Sequence, residues 1–456
     1  MADERDSLIV KLAEGLEVAR GEIERLRALV EHLQAQLSQN SSNSSKPPSS
    51  DGPGTMRPGQ KATGKKRGGQ AGHKHHARKL VPADQVTSSS DVVPHSCRRC
   101  TAPLVGRDPE PLRVQSFELP VVRPDVHEVR LHQLRCNCCG TTTRGALPAD
   151  FETYGQRLRA TMAALTGRFR LSKREAQALM SSMLGVNLSL GSVSNIERNV
   201  SDALEAVVEQ ARAFVRKQQV ANLDETGWRE SNQRAWLWTA VTRTVTVFRL
   251  ARSRGGNVAR EMLGEDFSGA VGCDRWRGYN WLDIRQLCWS HLSRDVQGFV
   301  DRAGIGGQIG ALLQVQIDKM FRWYGQVRDG TLDRAAFRFK MMPVEALIEG
   351  LFDDARTRAE PKTRGMAREI YDHREFLFVF VDNPDVEPTN NAAERAIRPA
   401  VLWRKGCFGT DSERGSRFVE RLLTVVASLK QQGRDLLDFL VAACSGQHVS
   451  LLPLGR

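Results

Sequence analysis

Apolar residues recur every seven positions at the start of the chain: Ile9, Leu16, Ile23, Val30 and Leu37, with Leu12, Ala19, Leu26 and Leu33 three places after the first four. Steps of three and four keep one helix face apolar, and a strict seven-residue repeat turns that face toward a partner helix. β-Branched residues are common at the first of these positions and leucine at the second, a combination favouring two parallel strands. Glu22 and Arg27 fall where they can pair across such a dimer. Gly15 and Gly21 weaken the seam by about 1 kcal/mol each. The pattern predicts a self-associating coiled coil over 1–40; an amphipathic helix packed on its own protein is the alternative.

The period then vanishes. "SSNSSKPPSSDG" cannot bury enough apolar surface to order itself, which predicts a flexible linker over 41–80. Between 113 and 135, "RVQSFELPVVRPDVHEVRLHQLR" alternates as strands do, predicting a small β-rich module over 81–150. Helical spacing takes over at 151–208. There "LSKREAQALMSSML" stops at Gly185 and "SLGSVSNIERNVSDAL" resumes, the outline of a helix-turn-helix. Ser192, Ser194, Asn195 and Arg198 would face a DNA groove, although helical hairpins with no DNA role share the outline.

From 219 the period becomes two. "QVANLDE", "RAWLWTAV" and "TVTVFRLAR" read as consecutive strands, "GGNVAREMLG" as a helix, "GAVGCD" as a fourth strand and "RQLCW" as a fifth. That succession is the order of the ribonuclease H-like fold, in which the first and fourth strands are neighbours. Six of the eight tryptophans lie between 228 and 289, so this is expected to be the best-packed part. "IGALLQVQIDKMFRWYGQV" predicts a helical insertion at about 300–375 within a core spanning 209–405, and 406–456 reads as a C-terminal helical region. The fold class expected is multidomain α+β: coiled coil, small zinc-knuckle module, helix-turn-helix, and ribonuclease H-like α/β core with a helical insertion.

Charge changes the picture next. The 66 Lys and Arg against 53 Asp and Glu give a formal charge of +13 over 456 residues, which points to a polyanion, most commonly nucleic acid. The excess is concentrated in "KATGKKRGGQAGHKHHARK", where Lys65, Lys66 and Arg67 form the densest run; such a segment can follow a phosphate backbone or serve as a solubilising tail. No run of 18 apolar residues exists, which excludes a helical membrane span. "MADERDSLIV" lacks signal-peptide features and the nine cysteines are odd in number, so a cytoplasmic location is expected.

The cysteines carry the first candidate chemistry. Cys97-Arg-Arg-Cys100 and Cys136-Asn-Cys-Cys139 are paired CxxC turns, each able to give two of the four thiolates of a structural zinc site. Unliganded cysteines are the alternative. Cys288 and His291 form a CxxH pair, two ligands only, for which helix-start packing is the default and a contact to a DNA end the next reading.

The acids carry the second. Asp224 and Asp274 end the first and fourth strands, and adjacent carboxylates repel unless a cation lies between them. Magnesium prefers oxygen ligands, so two or three carboxylates can hold a pair of ions. A third acid is available in "EPTNNAAERAIRPAVLWRKG": Glu394 sits on the first turn of a helix that Pro399 is expected to end, with Arg395, Arg398, Arg404 and Lys405 placed to meet phosphates. On pattern alone Glu394 is equally well half of a capping box begun by Asn391.

Over nearly its whole length the chain resembles the bacterial transposases of the insertion-sequence 66 family. The stretches that carry the resemblance are "SSNSSKPPSSDG", "GGQAGHKHHAR", the paired CxxC knuckles, "LDETGW", "LCWSHLSRD" and "NNAAERAIRP". The resemblance implies a DDE triad on a ribonuclease H-like core, with "LDETGW" placing the first acid at Asp224 and "NNAAERAIRP" the third at Glu394. The second acid departs from the family pattern, since "CDRWRGYN" puts Arg275 and Trp276 where a small residue and an aromatic usually follow. Strand-end position and Tyr279 still favour Asp274 over Asp266 or Asp283. The 119 residues between Asp274 and Glu394 are accounted for by the helical insertion.

The expected function is a DNA transposase that binds the terminal inverted repeats of its element and, with two Mg2+ ions, cleaves strands and transfers them into target DNA. Small accessory proteins of the same element are possible partners, and no membrane is expected. The alternatives are a non-catalytic dimeric DNA-binding regulator, or a ribonuclease H-like nuclease that does not join strands.

Overall fold

The computed structural model describes residues 2–37, 39–44, 51, 78–302 and 304–453. Lys65, Lys66 and Arg67, with most of the linker, lie outside the described residues. Helix α1 (Ala2–Leu37) occupies the heptad stretch. Its seam residues Leu16, Ile23, Leu26, Val30 and Leu33 stand about half-exposed as an apolar stripe.

The β-rich module expected over 81–150 is thinner than its alternation suggests. Strands β1 (Gln133–Arg135) and β2 (Thr142–Arg144) pair antiparallel, and an isolated bridge joins Ser96 to Pro103. Residues 113–132 run without ladder partners, and Val114, Leu119 and Val121 are more than four-fifths exposed. Alternation becomes a sheet only where a second strand lies alongside, and among the described residues none does.

Helices follow: α2 (Gln156–Ala163), α3 (Lys173–Leu184), α4 (Leu190–Ala203) and α5 (Glu205–Val215). Ser172 and Glu175 close a capping box at the start of α3, and Gly185 ends it in the left-handed region at φ 68°, where a β-carbon is strained. Ser189 caps α4 by accepting the Ser192 N–H at 3.0 Å.

The strands read from the period-two stretches all form: β3 (Val220–Glu230), β4 (Gln233–Val241), β5 (Thr246–Ala251), β6 (Ala270–Cys273) and β7 (Arg285–Leu287), with α6 (Gly256–Leu263) before β6. Their order across the sheet is β5-β4-β3-β6-β7. The first three are antiparallel, whereas β6 runs parallel to β3 and β7 to β6. Alternate residues of β4 bury on opposite faces: Trp238 and Ala240 join a core with α2–α6 and the C-terminal helices, while Ala235 and Leu237 join a smaller one with Phe248 and Leu250.

Beyond the sheet come α7 (Trp289–Val300), α8 (Ile305–Asp329), α9 (Arg334–Arg358), α10 (Pro361–Tyr371) and the short α11 (Val379–Asp382). These helices build their own core from residues such as Trp289, Leu313, Phe337, Phe352 and Phe380, filling the stretch where an insertion is expected. The chain then returns to the sheet as α12 (Asn391–Cys407), α13 (Glu413–Gln432) and α14 (Leu436–Cys444). Pro399 does not end α12 but lies inside it. The proline removes one backbone bond, yet Ile397 and Ala400 on either side bury against β3 and β4 and keep the helix continuous.

Helix α13 seals the open edge of the sheet. On β5, the backbone N–H groups of Thr246, Phe248 and Leu250 donate to Ser428 Oγ, Thr424 Oγ1 and Glu420 Oε2 at 3.0, 3.0 and 2.9 Å. Residues four apart on a helix rise by about 6 Å, close to the two-residue step of a strand, so one polar stripe satisfies alternate donors of the edge. No helix among the described residues is long and apolar enough to cross a membrane.

Candidate functional site

The register of the parallel pair places the first two acids. Val220, Ala221 and Asn222 of β3 face Ala270, Val271 and Gly272 of β6, so two residues further on Asp224 and Asp274 emerge at the same level. Each carboxylate is anchored by a local backbone N–H: Asp224 Oδ1 accepts from Glu225 at 2.9 Å and Asp274 Oδ1 from Trp276 at 2.8 Å. Asp266 and Asp283 are exposed instead.

Glu394 is delivered by a seam that stitches α7 and α12 to β3, which runs on past Asp224 to Glu230 instead of ending there. Asn390, just before α12, donates from Nδ2 to Leu223 O at 2.6 Å and accepts from Asn222 Nδ2 at 3.0 Å. A β-carbon at Gly272 would meet Asn222 Nδ2 at 2.3 Å, so the bare glycine leaves room for that link. The Asn390 N–H points to Cys288 Sγ at 3.1 Å, and the Trp289 N–H donates to Pro388 O at 2.9 Å. At the far end of α12, Arg404 donates to Gly227 O and to Thr226 Oγ1. The helix is thus pinned on both sides of Asp224. No side-chain cap forms at its start, so the capping-box reading of Glu394 is not realised; its Oε1 is buried without a hydrogen-bond partner.

The electrostatics record the convergence. Burial raises the Asp224 pKa well above its ordinary value, and Glu225, Asp274 and Glu394 each push it further up. Asp274 is raised by burial, against the pull of the Trp276 N–H, Arg254 and Arg275. Glu394 is raised by burial and by Asp274, against Arg294 and Arg395. A desolvated set of acids acting on one another is a place for cations with oxygen ligands.

Around it stand Glu225 and Arg254, which sequence reasoning missed, and Tyr279, Cys288 and His291, which it singled out. Alternation along β3 sends Glu225 to the opposite side from Asp224, where Tyr279 Oη donates to Oε2 and Arg254 Nε to Oε1 at 2.9 Å. The Arg254 guanidinium lies 4.8 Å from the Trp236 ring centroid and 4.9 Å from that of Trp276. The tryptophan density was visible; its role in gripping this arginine was not. Cys288 opens α7 and His291 is on its first turn, and together with Glu394 they offer donor atoms all within 4.8 Å of one another. Burial, with Arg294 and Arg275 nearby, lowers the His291 pKa to about 3, so the ring is neutral.

The remaining candidates divide. Arg395, Arg398 and Lys405 are exposed on α12, whereas Arg404 is occupied in holding β3. On α4, Asn195 and Arg198 are exposed, while Ser194 Oγ accepts from Lys173 Nζ at 2.9 Å and Ser192 Oγ lies 3.1 Å from Tyr154 Oη. Each CxxC turn is formed: Thr101 N–H donates to Cys97 O and Gly140 N–H to Cys136 O, both at 2.9 Å. The Thr141 hydroxyl and the Cys136 thiol help lower the Cys139 thiol to about 7. The two turns are not gathered into one site, however. Among the described residues, Cys288, His291 and Glu394 are the one group of three or more potential ligands within 4.8 Å. With 113–132 unpaired, no core draws Cys97 and Cys100 to Cys136 and Cys139.

The model of the Transposase IS66 family matches residues 154–417, more than half of the chain and all of the elements from α2 to α12. A Family of unknown function, DUF6444, matches residues 2–79. The chain is 27% identical over 266 residues to the "Uncharacterized protein y4qI" of Sinorhizobium fredii, a match covering 52% of this chain and 48% of that relative, so it spans about half the relative's length.

Proposed function

This chain belongs to the transposase IS66 family, and on that premise we propose that Asp224, Asp274 and Glu394 form a catalytic centre that cleaves and joins DNA. The observation that carries the reading is the meeting of three acids from β3, β6 and α12, each raised in pKa by burial and mutually repelling. The sheet order, with the first strand between the second and fourth, supports a ribonuclease H-like core. Oxygen donors of this kind suit magnesium, and Asp224, Asp274 and Glu394 would hold it. When bound, a divalent pair supplies the positive charge that activates an attacking oxygen and steadies a leaving one in a phosphoryl displacement.

The chain's own residues set the geometry. Asn390 and Arg404 fix α12 along β3, so that Glu394 faces the aspartates. Arg254 and Tyr279 fix the Glu225 carboxylate beside them. Arg395, Arg398 and Lys405 extend a basic track from the acids, and Asn195 and Arg198 with the segment around Lys65, Lys66 and Arg67 grip the ends of the element. The α1 stripe pairs two chains and so brings two ends together. Each CxxC turn presents half of a tetrahedral thiolate set for structural zinc. The test is cleavage of labelled terminal DNA in magnesium or manganese by Asp224→Asn, Asp274→Asn and Glu394→Gln proteins. Each is expected to lose cleavage and strand joining while retaining end binding; undiminished cleavage by any of them removes that acid from the centre.

A further inference from the structure

We propose that Cys288, His291 and Glu394 bind one thiophilic divalent ion, zinc in particular, which anchors the α12 carboxylate to the start of α7. The inference deepens the reading of Glu394 as a catalytic acid, although ion binding itself does not depend on that reading. Sulfur, nitrogen and oxygen donors from the three side chains lie within 4.8 Å of one another, with His291 Nδ1 and Glu394 Oε1 3.7 Å apart. Bonds of about 2.0 to 2.3 Å in a tetrahedron separate donors by roughly 3.3 to 3.7 Å, so only a small closure is needed.

A second observation points the same way. His291 Nδ1 and Glu394 Oε1 are both buried and both without a hydrogen-bond partner. A buried orphan costs about 1–3 kcal/mol, and here two face each other across a gap that one cation would bridge. The third donor, Cys288, is buried in the floor of the same gap, with the Asn390 N–H directed at its sulfur from 3.1 Å.

Donor chemistry then sorts the metals. A thiolate and an imidazole select zinc over magnesium, while the all-oxygen face of Asp224 and Asp274 does the reverse. Glu394 has two oxygens, and the site engages Oε1, leaving the other for the aspartate side. Cys288 and His291 alone offer too few ligands for a closed site; the missing one arrives from α12 and is invisible at CxxH spacing. Three protein ligands leave a fourth position for water.

The experiment counts metal in the purified full-length chain and records its spectrum after cobalt(II) replacement, both without DNA. Cys288→Ser and His291→Gln are each expected to lower zinc by one ion per chain and to weaken the thiolate-to-cobalt absorption. Asp224→Asn is expected to keep that ion even as cleavage is lost. Zinc content unchanged in both Cys288→Ser and His291→Gln overturns the site and leaves the triad assignment standing. Cleavage retained by Asp224→Asn, with zinc lost from the other two, overturns the triad and leaves the site. Should Cys288→Ser fold poorly, the half-buried His291→Gln decides alone, and zinc retained by it is a refutation.

Discussion

Removing the charge of Asp224 should stabilise the metal-free protein while abolishing its activity. Asn222 faces Gly272 across the β3–β6 pair, so Asp224 and Asp274 sit on neighbouring strands, about 5 Å apart by the usual spacing. At that separation and an effective dielectric near 20, two full charges repel by about 3 kcal/mol. Asparagine keeps the oxygen that accepts the Glu225 N–H at 2.9 Å, so loss of charge is the main change. The expected gain for Asp224→Asn at pH 8 is about 1–3 kcal/mol, below the full-charge figure because side chains splay and protonate.

The sign with pH follows from the direction of the shift. Burial and the neighbouring acids raise Asp224 well above its ordinary value, so the folded chain keeps this proton to a higher pH than the unfolded chain. Wild-type stability therefore declines as pH climbs from the ordinary carboxylate range, about 4, through the raised value. The advantage of the variant is full at high pH, shrinks at pH 5, and vanishes below about pH 4. Urea unfolding in EDTA at pH 8 and pH 5, followed by tryptophan fluorescence, measures it. Magnesium added back should stabilise the wild type more than the variant. A variant less stable than wild type at pH 8, or an advantage that does not change with pH, would refute mutual repulsion among these acids.

Thr424→Val leaves the Phe248 N–H without its acceptor at 3.0 Å and should lower stability by about 1–3 kcal/mol, whereas Thr424→Ser keeps the hydroxyl and loses about 1; equal losses would show that packing, not the hydrogen bond, matters. Arg395→Ala and Arg398→Ala should each reduce the salt slope of end binding by about one unit. Arg404→Ala should leave that slope unchanged and slow cleavage, because its guanidinium holds Gly227 and Thr226; a reduced slope would return Arg404 to the phosphate track. Leu26→Asp, on the half-exposed stripe of α1, should halve the molar mass measured by light scattering, and an unchanged mass would rule out pairing through that helix.

The legible parts were those written in local periodicity. The sheet strands, the break at Gly185 and the helical insertion follow from residue spacing, because β-branched alternation and helical stripes are properties of short windows. The stretch at 113–132 misled for the same reason: alternation reports a chain suited to a ladder, and only tertiary context supplies the second strand. Pro399 misled because burial of Ile397 and Ala400 outweighs one missing backbone bond. What no window contains is convergence. Asn390 reads only as a helix cap until its amide meets Leu223 O, and Glu394 reads equally as a cap or a ligand until the helix start shows no side-chain cap.

The polar stripe of α13 also sets a timetable for the newborn chain. All three acids precede residue 413, so Glu394 leaves the ribosome before the helix that shields β5 can fold. Until then the outermost strand exposes unsatisfied donors to any neighbouring nascent chain. A reading frame interrupted between 395 and 412 would keep every acid of the proposed centre and yet yield an aggregating product, so loss of the codons from α13 onward should silence the protein as thoroughly as loss of Asp224.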